Sequence, residues 1–174
     1  TLEEHKMLPY RITSLGKENE ETISRIENTT WLTELVDEYG EDPDEYESEI
    51  EEVVEMLIDG ETIRDDVEAY VDDIRFGVEE LVNFKAYTEA CEEWTLHVVD
   101  AFIEIWDIDD VEHIGDAFYG HFDSVEDFVE DYLDQIGNEL PSWVCVDYDR
   151  TWDSALRFDF DFDEDNGIMW MSNW

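Results

Sequence analysis

The sequence predicts an α+β fold, mostly helical and elongated, with a small antiparallel β-sheet in the C-terminal part. Three observations carry this. Apolar residues recur at helical spacing through most of the chain. One strictly alternating run, Arg157-Phe158-Asp159-Phe160-Asp161-Phe162-Asp163, stands near the C-terminus. And 52 Asp and Glu face only 9 Lys and Arg, a net charge of −43 over 174 residues, in a chain that is still 43% hydrophobic and 14% aromatic. Disorder needs low hydrophobicity together with high charge. The composition therefore describes a folded core under an anionic coat, whose self-repulsion the core must offset.

The elements follow in order. Residues 1–28 are polar and mixed in charge, and are expected as a partly ordered arm. Trp31, Leu32, Leu35, Val36 and Tyr39 form one helical face, stopped by Gly40. Tyr46, Ile50, Val53, Val54 and Leu57 recur at i, i+4, i+7, i+8 and i+11, with Pro43 in the first turn and Gly60 after the end. Val67, Tyr70, Val71 and Ile74 continue the period, with Thr62 as the expected N-cap. A long helix is expected from Val78 to Trp106, broken once near Tyr87. Val111, Ile114, Ala117 and Phe118 suggest a helix ending at Gly120.

The next signals are sharper. Ser124 followed by Val125, Glu126 and Asp127 is a hydroxyl cap with acids in the first turn. Val125, Phe128, Val129, Tyr132, Leu133 and Ile136 then form an apolar stripe closed by Gly137. A short helix is expected over 149–156. The alternating run 157–163 reads as a half-buried strand, Glu164-Asp165-Asn166-Gly167 as a turn, and Ile168-Met169-Trp170-Met171 as the hairpin partner. The expected organisation is an arm at 1–28, an acidic helical domain at 29–106 and an α+β domain at 107–174.

Charge excludes whole classes of function. A nucleic-acid binder must neutralise phosphates with Lys and Arg, yet no Lys or Arg occurs from Ala86 to Asp149. An anionic membrane surface is equally disfavoured. No segment has 18 apolar residues, and Thr1-Leu2-Glu3-Glu4 is no signal peptide. Cys91 and Cys145 lie far apart with no CxxC spacing, which fits two buried thiols in a reducing compartment.

Catalytic and metal motifs are equally scarce. Paired carboxylates could serve glycoside hydrolysis, but among 52 acids pairs arise by chance. Asp161, Asp163 and Asp165 match the first three ligands of a calcium loop. Asn166 then replaces the required Gly, and Ser172 stands where Glu should be. His5, His97, His113 and His121 show no HxxxH spacing. No nucleophile elbow, phosphate loop or dinucleotide motif is present. Neither enzyme activity nor a cofactor or metal is expected.

What remains is the geometry of the acids. On a helix, carboxylates at i, i+3 and i+4 stand about 5–6 Å apart. Glu126, Asp127, Glu130, Asp131 and Asp134 keep that spacing opposite the apolar stripe. On a strand, Asp159, Asp161 and Asp163 would share one side at roughly 6.5–7 Å. Duplex DNA carries one charge per about 1.7 Å of axis, so 43 charges correspond to about 73 Å of duplex. A rigid frame has already met the ordering cost that an acidic tail would meet on binding. The chain is expected to imitate a short DNA segment toward a protein that binds phosphates.

The run Asp116-Ala117-Phe118-Tyr119-Gly120-His121-Phe122-Asp123-Ser124-Val125-Glu126-Asp127-Phe128-Val129-Glu130-Asp131 resembles the ArdA antirestriction family. Pro141, the Val146-Asp147-Tyr148-Asp149 segment and the aromatic end Met169 to Trp174 continue the likeness, which covers about residues 107–174. Residues 1–60 lack that family's β-rich opening and read as helical. The resemblance implies an acidic DNA mimic from a phage or mobile element, acting in the cytoplasm of a bacterial host cell. It implies a partner, the methyltransferase and specificity subunits of a type I restriction-modification enzyme, and a homodimer joined through the C-terminal domain.

The spacing of the acids and the resemblance together make Asp123, Glu126, Asp127, Glu130, Asp131, Asp134, Asp147, Asp149, Asp159, Asp161 and Asp163 the expected phosphate mimics. Phe128, Tyr132, Leu133, Tyr148 and Phe160 are the expected scaffold core. Two other readings stay open. One is a protein adapted to high salt without mimicry. The other is an acidic partner of a different basic protein, such as a CRISPR effector or nucleoid protein.

Overall fold

The structure, a computed structural model, describes residues 8–137, 141 and 143–174. The start of the expected arm, residues 1–7 with His5, lies outside them. The fold is α+β and mostly helical, with one small antiparallel sheet near the C-terminus. The chain forms two compact units that part at Thr88 and Glu89.

The first unit contains α1 (Leu8–Glu38), a 3-10 turn at Pro43–Tyr46, α2 (Glu47–Asp59), α3 (Arg64–Asp72) and a second 3-10 turn at Val78–Asn83. Helix α4 (Phe84–Glu93) holds the division between the units. The apolar period read from the sequence produces the packing. Leu32 and Val36 of α1 are buried, as are Ile50, Val53, Val54 and Met56 of α2, and the two helices pack together. Gly60 ends α2 in the left-handed conformation, φ 77°, where a glycine carries no Cβ penalty. Tyr70 stacks on Phe76 at 4.6 Å between centroids and meets Phe84 edge-on.

The second unit contains α5 (Leu96–Ile105), a 3-10 turn at Ile108–His113, the single turn α6 (Ile114–Ala117) and β1 (Phe118–His121). Next come α7 (Val125–Gln135), α8 (Tyr148–Ser154), a 3-10 turn at Leu156–Phe158, β2 (Phe160–Asp163) and β3 (Ile168–Met171). The sheet order is β1-β3-β2, antiparallel throughout. β3 is the central strand, and Ile168, Met169 and Trp170 are all buried. Alternation sends neighbouring side chains to opposite faces. Trp170 meets Phe102, Trp106 and Phe118. Met169 joins Phe128, Val129, Leu156 and Phe160 on the other side.

Several sequence expectations need correction. The break in 78–106 falls at Trp94 and Thr95 rather than near Tyr87. Thr95 is extended (ψ 147°) and opens α5, while Trp94 packs on Phe118. Phe118 to Gly120 form a strand, not the end of a helix, because pairing with the apolar β3 overrides the local period. The strand expected from Arg157 starts only at Phe160. Phe158 ends a 3-10 turn and is 64% exposed. Thr62 is not the cap of α3; Ile63 takes that position with no side-chain bond, and Thr62 is buried. Cys91 is half-buried and Cys145 exposed, both as free thiols, so neither is the buried residue expected. The compact units also part upstream of the expected 106/107 boundary. Phe102 of α5 packs against Trp170 and Trp174, which ties that helix to the C-terminal unit. No described helix is long and apolar enough to cross a membrane.

Candidate functional site

The strongest local order among the expected site residues lies at the start of α7. Ser124 caps it as the sequence suggests: its hydroxyl accepts from the Asp127 amide at 3.1 Å and donates to the Asp127 carboxylate at 2.9 Å. Glu126 and Asp127 occupy the first turn, where the exposed amides favour negative charge. The apolar stripe then turns inward. Phe128 and Val129 are fully buried, and Tyr132 and Leu133 pack half-buried against the same core. The opposite face carries Glu126, Asp127, Glu130, Asp131 and Asp134, every one exposed. The last turn of α7 holds no basic residue, so Asp134 works against the helix dipole. Burial of the aromatic face must supply the difference.

Helix α8 packs on α7 and extends this surface. Asp147 caps α8 by accepting from the Arg150 amide at 3.0 Å. Tyr148, half-buried, reaches the acids of α7; burial first, then Glu130 and Asp134, raise its hydroxyl above the usual tyrosine range. Asp149 shares a side-chain hydrogen bond with Glu126. That bond and the Glu126 charge hold Asp149 above the ordinary aspartate range. Glu126 is held low, first by its own backbone amide and then by Asp149. The two carboxyls thus favour sharing one proton across the junction of α7 and α8.

Around this pair lies an open hollow of about 660 Å³. Asp123, Glu126, Asp149, Asp153 and Glu164 ring it, and Val125, Trp152 and Phe162 also line it. The structure therefore gathers Asp123, Glu126 and Asp149 from the expected set. It adds Asp153 and Glu164, which sequence reasoning did not single out. Asp153 had a signal, because it lies i+4 from Asp149 on α8. Glu164 had none beyond its place in the turn.

The strand acids fare differently. Asp161 is exposed on β2 and Asp163 is half-buried. Asp163 accepts from the Asn166 amide and side chain at 3.1 and 2.7 Å, which folds the turn. Asp159 precedes the strand in helical conformation and accepts from Asn173 at 3.0 Å. The expected ladder of three acids on one strand face is therefore not formed, because β2 begins one residue too late. Phe160 is buried in the core as expected, and Tyr148 packs against it from the rim.

Four basic side chains of the first unit, Arg25, Arg64, Arg75 and Lys85, serve internal contacts. Arg25 donates from both terminal nitrogens to Glu55, and Lys85 pairs with Glu52 at 3.3 Å. Arg64 donates twice to the buried Asn28, at 2.9 and 2.7 Å, and lies over the Trp31 ring. Arg75 pairs with Asp73. In the second unit Arg157 pairs with Asp153 at 3.6 Å and lies over Phe158.

Among the described residues, no group of three or more His, Cys, Asp or Glu side chains is placed to hold a metal ion. His113 stands between Glu112 and Asp116, and His97 faces the Asn166 carbonyl. No protein-family model, curated protein or solved structure matches the chain.

Proposed function

We propose that this protein is a non-enzymatic DNA mimic that occupies the DNA-binding groove of a host DNA-processing protein. The first candidate is a type I restriction-modification enzyme in a bacterial cytoplasm. The observation that carries the proposal is the outer face of α7. Five carboxylates stand exposed there on a helix whose other face is locked by buried aromatics. Asp147, Asp149 and Asp153 of the adjoining α8 are exposed as well. A groove built for phosphates meets anions at fixed spacing on a frame that needs little further ordering. The ArdA-like run from Asp116 to Asp131 ends on this same helix, which favours the restriction enzyme over other targets.

The test is capture from a bacterial lysate, repeated with duplex DNA as competitor. The expected result is one dominant DNA-processing enzyme, displaced by DNA and released as salt rises, since screening weakens charge attraction. A complex that excess DNA leaves intact would falsify competition at the DNA site. A variant with Glu126→Gln, Asp127→Asn, Glu130→Gln, Asp131→Asn and Asp134→Asn should bind at least about tenfold more weakly and with a shallower salt dependence.

One observation favours a second reading. The negative charge is shared by both units, with 27 acids against 7 Lys and Arg up to Thr88 and 25 against 2 from Glu89. A salt-adapted surface would be spread in the same way. Circular dichroism in dilute buffer separates the two, because a salt-adapted chain loses its helices there and a mimic keeps them.

A further inference from the structure

The turn between β2 and β3 carries a chemical liability that the fold itself requires. Residues 164–167 join the paired strand ends Asp163 and Ile168. Gly167 closes the turn in the left-handed region, at φ 64°. A Cβ at that position would meet the Phe122 carbonyl oxygen at 3.1 Å. Both observations demand glycine. The residue before it is Asn166, which makes Asn166-Gly167 the one Asn-Gly pair in the sequence.

An asparagine that precedes glycine is open to attack by its own main chain, because glycine has no side chain to shield its amide. The Gly167 nitrogen gives up its proton and bonds to Cγ of Asn166. The bond from Cγ to Nδ2 breaks, and the amide nitrogen leaves as ammonia with that proton. Water then opens the cyclic imide. Cleavage at Cγ gives aspartate. Cleavage at the main-chain carbonyl gives isoaspartate, whose main chain is one carbon longer.

Asp163 stands against this reaction. Its carboxylate accepts from the Asn166 main-chain amide at 3.1 Å and from Nδ2 at 2.7 Å. An ionised carboxylate can only accept, so the contact fixes which way the side-chain amide faces. The nitrogen that must leave is held by Asp163, and the side chain cannot turn freely toward Gly167. On the other side, Nε2 of His97 lies 3.3 Å from the Asn166 carbonyl oxygen. Asn166 itself is half-buried.

The modification would not stay local. The Gly167 carbonyl accepts from the Phe122 amide at 3.0 Å, which ties the turn to the residue before Asp123. Asp123 and Glu164 both ring the hollow at α7 and α8. A longer main chain at position 166 displaces that tie, and the new carboxylate sets like charge against Asp163. We infer that Asn166 is a deamidation site kept slow by the Asp163 clasp, and that its conversion to isoaspartate remodels the wall of the acidic hollow.

Peptide mapping by mass spectrometry tests this on the full chain, aged warm at neutral pH. Asp163→Ala should convert Asn166 at least about tenfold faster than the folded parent, because a charge-assisted hydrogen bond is lost. Asp163→Asn keeps one acceptor oxygen and should restore most of the slow rate. In urea, parent and variants should convert at the same rate. The isoaspartate form, separated by ion exchange, should lose hydrogen-exchange protection at the Phe122 amide while α5 keeps its own. A folded Asp163→Ala variant no faster than the parent overturns the guarding role of Asp163. So does an acceleration accompanied by lost protection throughout β3, which would trace it to unfolding of the sheet. An isoaspartate form that keeps Phe122 protected overturns the link to the hollow.

Discussion

Both units bury an apolar core, and they differ in what supplements it. In the first, cations join helices: Arg25 and Lys85 hold α2 by ion pairs, and Arg64 holds α1 through Asn28 and Trp31. In the second, aromatic rings carry the load. Phe128 meets Tyr119, Phe122, Tyr132, Trp152 and Phe160, and Trp170 meets Phe102, Trp106 and Phe118. The second unit has only Arg150 and Arg157, for a net −23, against −20 in the first. A surface that must stay anionic cannot be held by cations without cancelling itself. Ring packing is the neutral alternative, and each buried aromatic contributes about 1.5–3 kcal/mol.

This contrast can be broken at single residues. Phe128→Ala should have the largest effect, about 3–5 kcal/mol, because the cavity opens at the centre of the ring cluster. Hydrogen exchange should show β1, β2 and β3 losing protection while α2 keeps its own. Equal loss in both units would mean that they do not differ in the way described. Arg64→Ala should cost about 1–3 kcal/mol by leaving the buried Asn28 carbonyl without its donor. Here the protection lost should lie in α1 and α3, with β3 unaffected.

Thr62→Val tests the opposite sign. The Thr62 hydroxyl is buried and has no hydrogen-bond partner among the described residues. Replacing it by an apolar group of the same shape should raise stability by about 1 kcal/mol, seen as a later denaturant midpoint with unchanged slope.

Asp149→Asn should produce the smallest change, and it depends on pH. The folded state holds the Asp149 proton more tightly than the unfolded chain does. That contribution is full below the ordinary aspartate pKa, about 4, and is lost as pH rises through the elevated folded value. Glu126 acts in the reverse sense, losing its contribution as pH falls through its depressed value. Where both are ionised, the two carboxylates repel. Asparagine can donate to Glu126 without a charge, so the variant should melt higher than the parent at pH 7. The gain should vanish below about pH 4, where the parent aspartate is protonated. A gain that stays constant with pH would show that charge at this junction does not matter.

Much of the helical order was legible. Ser124 as a cap, Gly60 and Gly137 as left-handed stops, and the apolar stripe of α7 are local signals, each set by residues within one or two turns. The acidic face of α7 was legible for the same reason. Asp153 and Glu164 escaped because their proximity to Glu126 comes from α8 and the β2–β3 turn meeting α7, which no short window contains. The strand at Phe118 escaped because its partner lies fifty residues downstream.

The sequence by itself determined the sign and size of the charge, the helical period and the caps, all of which depend on residue type and short-range spacing. Tertiary structure alone decided which apolar run became the central strand and which carboxylates share a hollow. It also decided where the cations are engaged. Those outcomes depend on contacts between distant segments, whose free energy appears only when they are packed together.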